Sequence, residues 1–109
     1  MQIIIDIDGT ICTEEKTYSR SMAKPLISAV ESVNSIYDKG HTVILYSARA
    51  WVEFEMTTDW LKRNGFKYHQ LILGKPIGDV WIDDRAISFN GWDNVNKTLE
   101  KKDNFKNNE

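Results

Sequence analysis

Two rhythms of apolar residues alternate along this chain: short unbroken runs, and stripes spaced three and four apart. Ile3, Ile4 and Ile5 form the first run, which predicts a buried strand over residues 2–6. Residues 12–23 are polar and without a period, and predict a loop or a short hairpin flap over the tip of that strand. Pro25 suits the first position of a helix, Leu26, Ile27, Val30, Val33 and Ile36 continue at helical spacing, and Gly40 closes it. The β-branched run Thr42–Tyr46 predicts a second strand, and Trp51–Asn64 a second helix ended by Gly65. Residues 70–73 and 80–83 predict a third and a fourth strand, 87–89 a fifth, and 93–102 a short terminal helix.

Strands alternating with helices imply an α/β fold: a single Rossmann-like parallel sheet flanked by helices. One domain over residues 1–100 accounts for the periodic part, with 101–109 a polar tail expected to fray. Composition changes this picture little. A net charge of −2 with 28% charged residues argues against a nucleic-acid binder that relies on a broad basic surface. No apolar run reaches the roughly 20 residues of a membrane span. No basic segment precedes the first strand, so a signal peptide is not expected, and the lone Cys12 fits a reducing, cytoplasmic setting.

The chemistry is concentrated where the apolar runs stop. Asp6 and Asp8 lie two apart at the tip of the first strand, and Gly9 permits a tight turn after them. Two like charges this close are costly unless a cation or a phosphoryl group needs them. Ser47 and Arg49 follow the second strand, Lys75 the third, and Asp83 with Asp84 the fourth. In an open α/β sheet, ligands bind outside the carboxyl ends of the strands, so these groups are expected to converge. Together they supply carboxylates, a hydroxyl and cations, the inventory for a magnesium-assisted attack on phosphorus.

Asp-Ile-Asp-Gly-Thr, Tyr-Ser-Ala-Arg, Gly-Lys-Pro and Trp-Ile-Asp-Asp-Arg-Ala, in that order over roughly residues 2–90, resemble the four motifs of the haloacid dehalogenase-like (HAD) superfamily. More narrowly, the chain resembles short bacterial HAD proteins described as capsular polysaccharide biosynthesis phosphatases. The resemblance implies that Asp6 attacks phosphorus and forms an aspartyl-phosphate, while Asp8 protonates the leaving alcohol and then activates water. It implies that Thr10, Ser47 and Lys75 bind the phosphoryl group. Asp6, Asp8 (through its carbonyl) and Asp83, with or without Asp84, would hold Mg²⁺. The implied substrate is a small phosphorylated metabolite, a sugar phosphate first, with nucleic acid and protein phosphates as alternatives and no membrane partner.

Each residue also has an ordinary structural reading. Ser47 alone is a common turn residue, Lys75 a solvated loop lysine, and Asp83/Asp84 a turn beside Arg85; only their company favours the chemical one. Arg49 either contacts substrate or pairs with a neighbour such as Glu53. Arg20 and Tyr18 on the flap either touch substrate or face solvent. Trp51 is the best aromatic candidate for a substrate wall, while His41, His69 and Cys12 read as structural. About fourteen residues separate Thr10 from Pro25, and about two dozen separate Ser47 from Gly74. Neither gap holds an inserted cap domain, so the molecule would be capless, its site open unless the flap or a second copy in a homo-oligomer covers it. Two other classes of protein share parts of this inventory. In a response-regulator receiver the acidic pair would precede the phospho-accepting Asp, the reverse of the order here. A catalytically silent HAD-fold binding module would need its motif residues in an incompetent geometry.

Overall fold

Three of the predicted strands pair side by side, all parallel, in a computed structural model that describes residues 1–107, with side-chain surroundings for 1–102. They are β1 (Gln2–Ile5), β2 (Thr42–Tyr46) and β3 (Gln70–Ile72), in the spatial order β1-β2-β3. The register sets Ile5 opposite Leu45 and Leu45 opposite Leu71, so all three strands end at one edge of the sheet. The connections are helical, as parallel pairing requires: α1 (Ala29–Asp38) between β1 and β2, and α2 (Phe54–Arg63) between β2 and β3. A third helix, α3 (Trp92–Asn107), ends the described chain.

The core is drawn from the set the periodicity picks out, except that Ile4 (59%) and Ile27 (91%) are exposed. Val43 and Leu45 of β2 are fully buried, with Leu71 of β3, Val33 and Ile36 of α1, and Trp60 and Leu61 of α2 packed around them. Each such side chain contributes about 1.5–3 kcal/mol by leaving water. Trp92, at the start of α3, is buried too, and its Nε1 donates to the carbonyl of Thr10 at 2.9 Å. That bond ties the last helix to the loop after β1.

Several boundaries differ from the sequence reading. α1 begins at Ala29, not Pro25, because Ser28 sits in the left-handed region (φ 66°), which a helix cannot pass through, and Leu26 N donates to Ile11 O instead. The expected helix 51–64 is split into a 3-10 turn, Trp51–Glu53, and α2, because the Glu53 carboxylate accepts the Ala50 amide at 2.9 Å and holds the entry turn tight. The terminal helix runs past residue 102 to Asn107, and 108 and 109 of the expected tail lie outside the described residues.

The larger correction concerns residues 75–91. The expected strands at 80–83 and 87–89 are absent, and the segment is irregular. Strand propensity yields a strand only where a ladder partner receives it. Here Val80 and Ile82 are 75% and 97% exposed, and β1 remains an edge of the three-stranded sheet. Phe89 instead packs edge-on against Trp92, with ring centroids 5.6 Å apart.

Candidate active site

β1 delivers Asp6 to the edge of the sheet, and the chain then turns at once. Thr10 N and Ile11 N both donate to Ile7 O, and Gly9, at φ +78°, donates to Cys12 O. Ile7 and Ile11 are fully buried beneath this loop, so Asp6 and Asp8 on either side of Ile7 are held upward by an apolar anchor. β2 hands over to Ser47 and Arg49, β3 to Gly74 and Lys75. Backbone hydrogen bonds lock the two exits together: Ser47 N to Ile72 O at 3.0 Å, Gly74 N to Arg49 O and Lys75 N to Ser47 O, both at 2.9 Å.

Each carboxylate faces its own cation. Lys75 Nζ lies 3.6 Å from Asp6 Oδ1, and the same ammonium sits over the rings of Trp81 (5.2 Å) and Tyr46 (5.6 Å). Arg49 grips Asp8 with a fork: Nε donates to Oδ2 at 3.0 Å and Nη2 to Oδ1 at 2.8 Å. Its third corner, Nη1, donates to Thr57 Oγ1 of α2 at 3.0 Å. Burial works against the Arg49 charge, but the hydrogen bond and charge of Asp8 outweigh it, and the pKa of Arg49 rises above its ordinary value. Cys12 lies beneath, Sγ 3.9 Å from Asp8 Oδ1, and its pKa is pushed up to about 12, first by burial and then by the Asp8 charge. It stays a thiol and packs.

The structure therefore gathers Asp6, Asp8, Ser47, Arg49 and Lys75, and reassigns two of the expected substrate contacts. Arg49 is only 1% exposed and cannot reach substrate; it pairs with Asp8, not with Glu53. Glu53 is taken by Arg20, whose Nη1 donates to both carboxylate oxygens at 2.7 and 2.8 Å. Arg20 is thereby committed to fastening the 3-10 turn Thr17–Met22 beside Trp51–Glu53. Ser47 is fully buried, with Oγ accepting the Arg49 amide at 3.1 Å, so access to phosphate requires this loop to open. Thr10 sits on the turn with its carbonyl taken by Trp92.

Trp51 stays half-exposed and leans on the chain just before Lys75. A Cβ on Gly74 would lie 3.0 Å from its Nε1, and Gly74 holds φ +77°. Gly74→Ala is therefore expected to cost about 1–2 kcal/mol from the left-handed backbone alone. In a thermal melt this appears as a fall in Tm of roughly 5 °C or more; an unchanged Tm would contradict the close approach.

Asp83 and Asp84 do not join the site. They are exposed, and Asp83 Oδ1 accepts the Arg85 amide at 2.9 Å, the turn that these residues form by themselves. Among the described residues no three His, Cys, Asp or Glu side chains are grouped to hold a metal ion. The ligands expected for Mg²⁺, the Asp6 carboxylate, the Asp8 carbonyl and Asp83 with or without Asp84, are thus not assembled in this arrangement, since the expected fourth strand that would carry Asp83 is not formed. His41 and His69 are structural as expected: His41 Nδ1 lies 2.7 Å from the terminal ammonium, and His69 Nδ1 accepts Val43 N at 3.0 Å.

Two features were missed in the sequence. Thr57 shares the buried stripe of α2 with Trp60 and Leu61, and a hydroxyl at that phase signals a buried donor in search of it. The stacking of Lys75 on Trp81 carried no local signal.

The family model described as the LNS2 domain of PITM 1-3 matches residues 3–86. Three solved structures are similar in fold. A structural-genomics target from Vibrio cholerae is 22% identical, with a TM-score of 0.69, covering 94% of this chain and 99% of that one. A conserved protein from Bacteroides thetaiotaomicron is 24% identical, with a TM-score of 0.68, covering 94% and 91%. A chain of the Pnkp1/Rnl/Hen1 complex is 20% identical, with a TM-score of 0.61, covering 76% of this chain and 30% of that one. No curated protein matches the chain. Among the described residues no helix is long and apolar enough to cross a membrane.

Proposed function

Since the chain belongs to the LNS2 (Lipin/Ned1/Smp2) domain family, a HAD-like family of phosphatase type, we propose that it is a phosphomonoester phosphatase working through an aspartyl-phosphate. The observation that carries this reading is Asp6 at the tip of β1, 3.6 Å from Lys75 at the exit of β3. A carboxylate oxygen with an ammonium beside it is equipped to approach an anionic phosphate, because the cation offsets the charge that both partners bring.

In this reading an Asp6 oxygen attacks phosphorus, the bond to the leaving oxygen breaks, and Asp8 supplies that oxygen with a proton. Water then attacks phosphorus, Asp8 takes its proton, and inorganic phosphate leaves with Asp6 restored. Lys75 neutralises the phosphoryl oxygens throughout, with Thr10 beside them and Ser47 joining once its loop opens. Mg²⁺ belongs to the proposal through the resemblance, as added positive charge, and none of these steps is routed through it.

The proposed substrate is a small phosphorylated metabolite, a sugar phosphate of the kind consumed in capsular polysaccharide synthesis, met in the cytoplasm. The half-exposed Trp51 indole beside Gly74 gives its leaving group a wall. The connection after β1 holds one short 3-10 turn and no inserted domain, which supports a capless site covered by that flap or by a second copy of the chain.

Phosphate release from hexose phosphates, nucleotides, a phosphopeptide and a 3′-phosphorylated oligonucleotide tests this. Release is expected from a small ester. Loss with EDTA and recovery with Mg²⁺ would require Asp83 to move in beside Asp6 and Asp8, release that ignores EDTA would remove the metal from the account, and no release from any ester would overturn the activity.

A further inference from the structure

We propose that Arg49 is a positioning residue, one that fixes the carboxylate of Asp8 and affects the reaction only through it; this rests on the phosphatase reading above. The guanidinium is buried and engaged on every side. Nε and Nη2 hold the two oxygens of Asp8, and Nη1 rests on Thr57 Oγ1. The main chain of Arg49 is clamped as well, its amide by Ser47 Oγ and its carbonyl by Gly74 N.

A two-point fork fixes the plane of a carboxylate, which a point charge cannot do. Asp8 needs this support, because it stands on a loop with neither strand nor helix to set its rotamer. A carboxylate oxygen has two acceptor sites, and the fork uses one on each. Oδ1 also accepts from Cys12 Sγ at 3.9 Å, so the remaining site on Oδ2 is the one left for the leaving group or for water. Asp6 makes a different case: its single ammonium contact, at 3.6 Å, leaves it free to turn toward phosphorus. Stability does not account for the arrangement, since a buried ion pair gives little that a well-packed apolar pair would not. Thr57, on the buried stripe of α2, fixes the far side of the guanidinium, so the orientation of Asp8 is referred through Arg49 to the core.

The test is steady-state hydrolysis of p-nitrophenyl phosphate and a hexose phosphate by wild type, Arg49→Lys, Thr57→Val, Asp8→Asn and the double variants with Asp8→Asn. Thermal melts accompany each. Arg49→Lys keeps the charge and loses the fork, so kcat is expected to fall by about 100-fold with KM within about threefold, the cost of a misplaced reacting group. Thr57→Val loosens the guanidinium without touching Asp8, and kcat is expected to fall by about 3- to 10-fold with KM unchanged, a smaller share of the same misplacement. Neither change is expected to slow Asp8→Asn further, because both act through that carboxylate.

Losses that multiply in the double variants, a full kcat in Arg49→Lys, or a raised KM at constant kcat would each overturn the role. If Arg49→Lys fails to fold, Thr57→Val in the same cycle decides. Absence of release by wild type overturns the phosphatase reading and this role with it, whereas wild-type release with multiplying losses overturns the role of Arg49 alone.

Discussion

Asp6→Asn is expected to abolish phosphate release, by about 10⁴-fold or more, while the protein stays folded. The amide has the shape of the carboxylate but cannot displace an alcohol from phosphorus. Asp6 lies beyond the last residue of β1, so the sheet register from Gln2 to Ile5 does not depend on its charge. Its side chain is 37% exposed and its ion pair to Lys75 is 3.6 Å long, so losing that pair costs stability no more than about 1 kcal/mol. Phosphate release and a thermal melt on the same preparation check both halves. Residual activity within about tenfold of wild type would mean that the nucleophile is another group, since loss of a true nucleophile removes far more.

Trp60→Ala is expected to destabilise the protein by about 3–5 kcal/mol. Such a loss is a large part of the roughly 5–15 kcal/mol that holds a domain together. Trp60 is among the largest fully buried side chains, its ring lies 5.6 Å from that of Phe66, and its Nε1 donates to Ala23 O at 2.8 Å. The change therefore opens a cavity under the sheet and releases the end of the connection after β1. Trp60→Phe fills most of the space but leaves the Ala23 carbonyl without its donor, and is expected to cost about 1–3 kcal/mol. Urea denaturation measures both. A loss below about 1 kcal/mol for the alanine variant would contradict this packing, because core truncations of this size cost several times more.

The sequence reading was strongest where periodicity and burial coincide. The run Thr42–Tyr46 is a strand whose middle residues Val43, Ile44 and Leu45 are all buried, the run at Ile3–Ile5 buries Ile5 but leaves Ile4 59% exposed, and Gly40 and Gly65 mark helix ends with φ +93° and +76°. It was weakest where a tertiary partner decides. Val80–Ile82 has the composition of a strand, yet no strand of the sheet receives it, and Asp83 and Asp84 stay outside with it. Pro25 would serve a helix, but the strained turn at Ser28 delays the helix by a turn. The acidic pair Asp6/Asp8 was legible because it follows an apolar run within three residues. The partner of Asp8 was not, because Arg49 lies 41 positions away and only the β1–β2 pairing brings it alongside. The link from Arg20 to Glu53 was hidden for the same reason, being set by how the 3-10 turn Thr17–Met22 packs on the entry to α2.

The central claim is that Asp6 carries the phosphoryl group between substrate and water. The most direct measurement mixes the protein with a labelled phosphate ester, quenches in acid on the timescale of one turnover, and reduces any acyl phosphate with borohydride before peptide mass spectrometry. The account predicts covalent label on Asp6, converted by reduction to homoserine at that position, and none in Asp6→Asn. Turnover without any covalent label, or label on another residue, would contradict it.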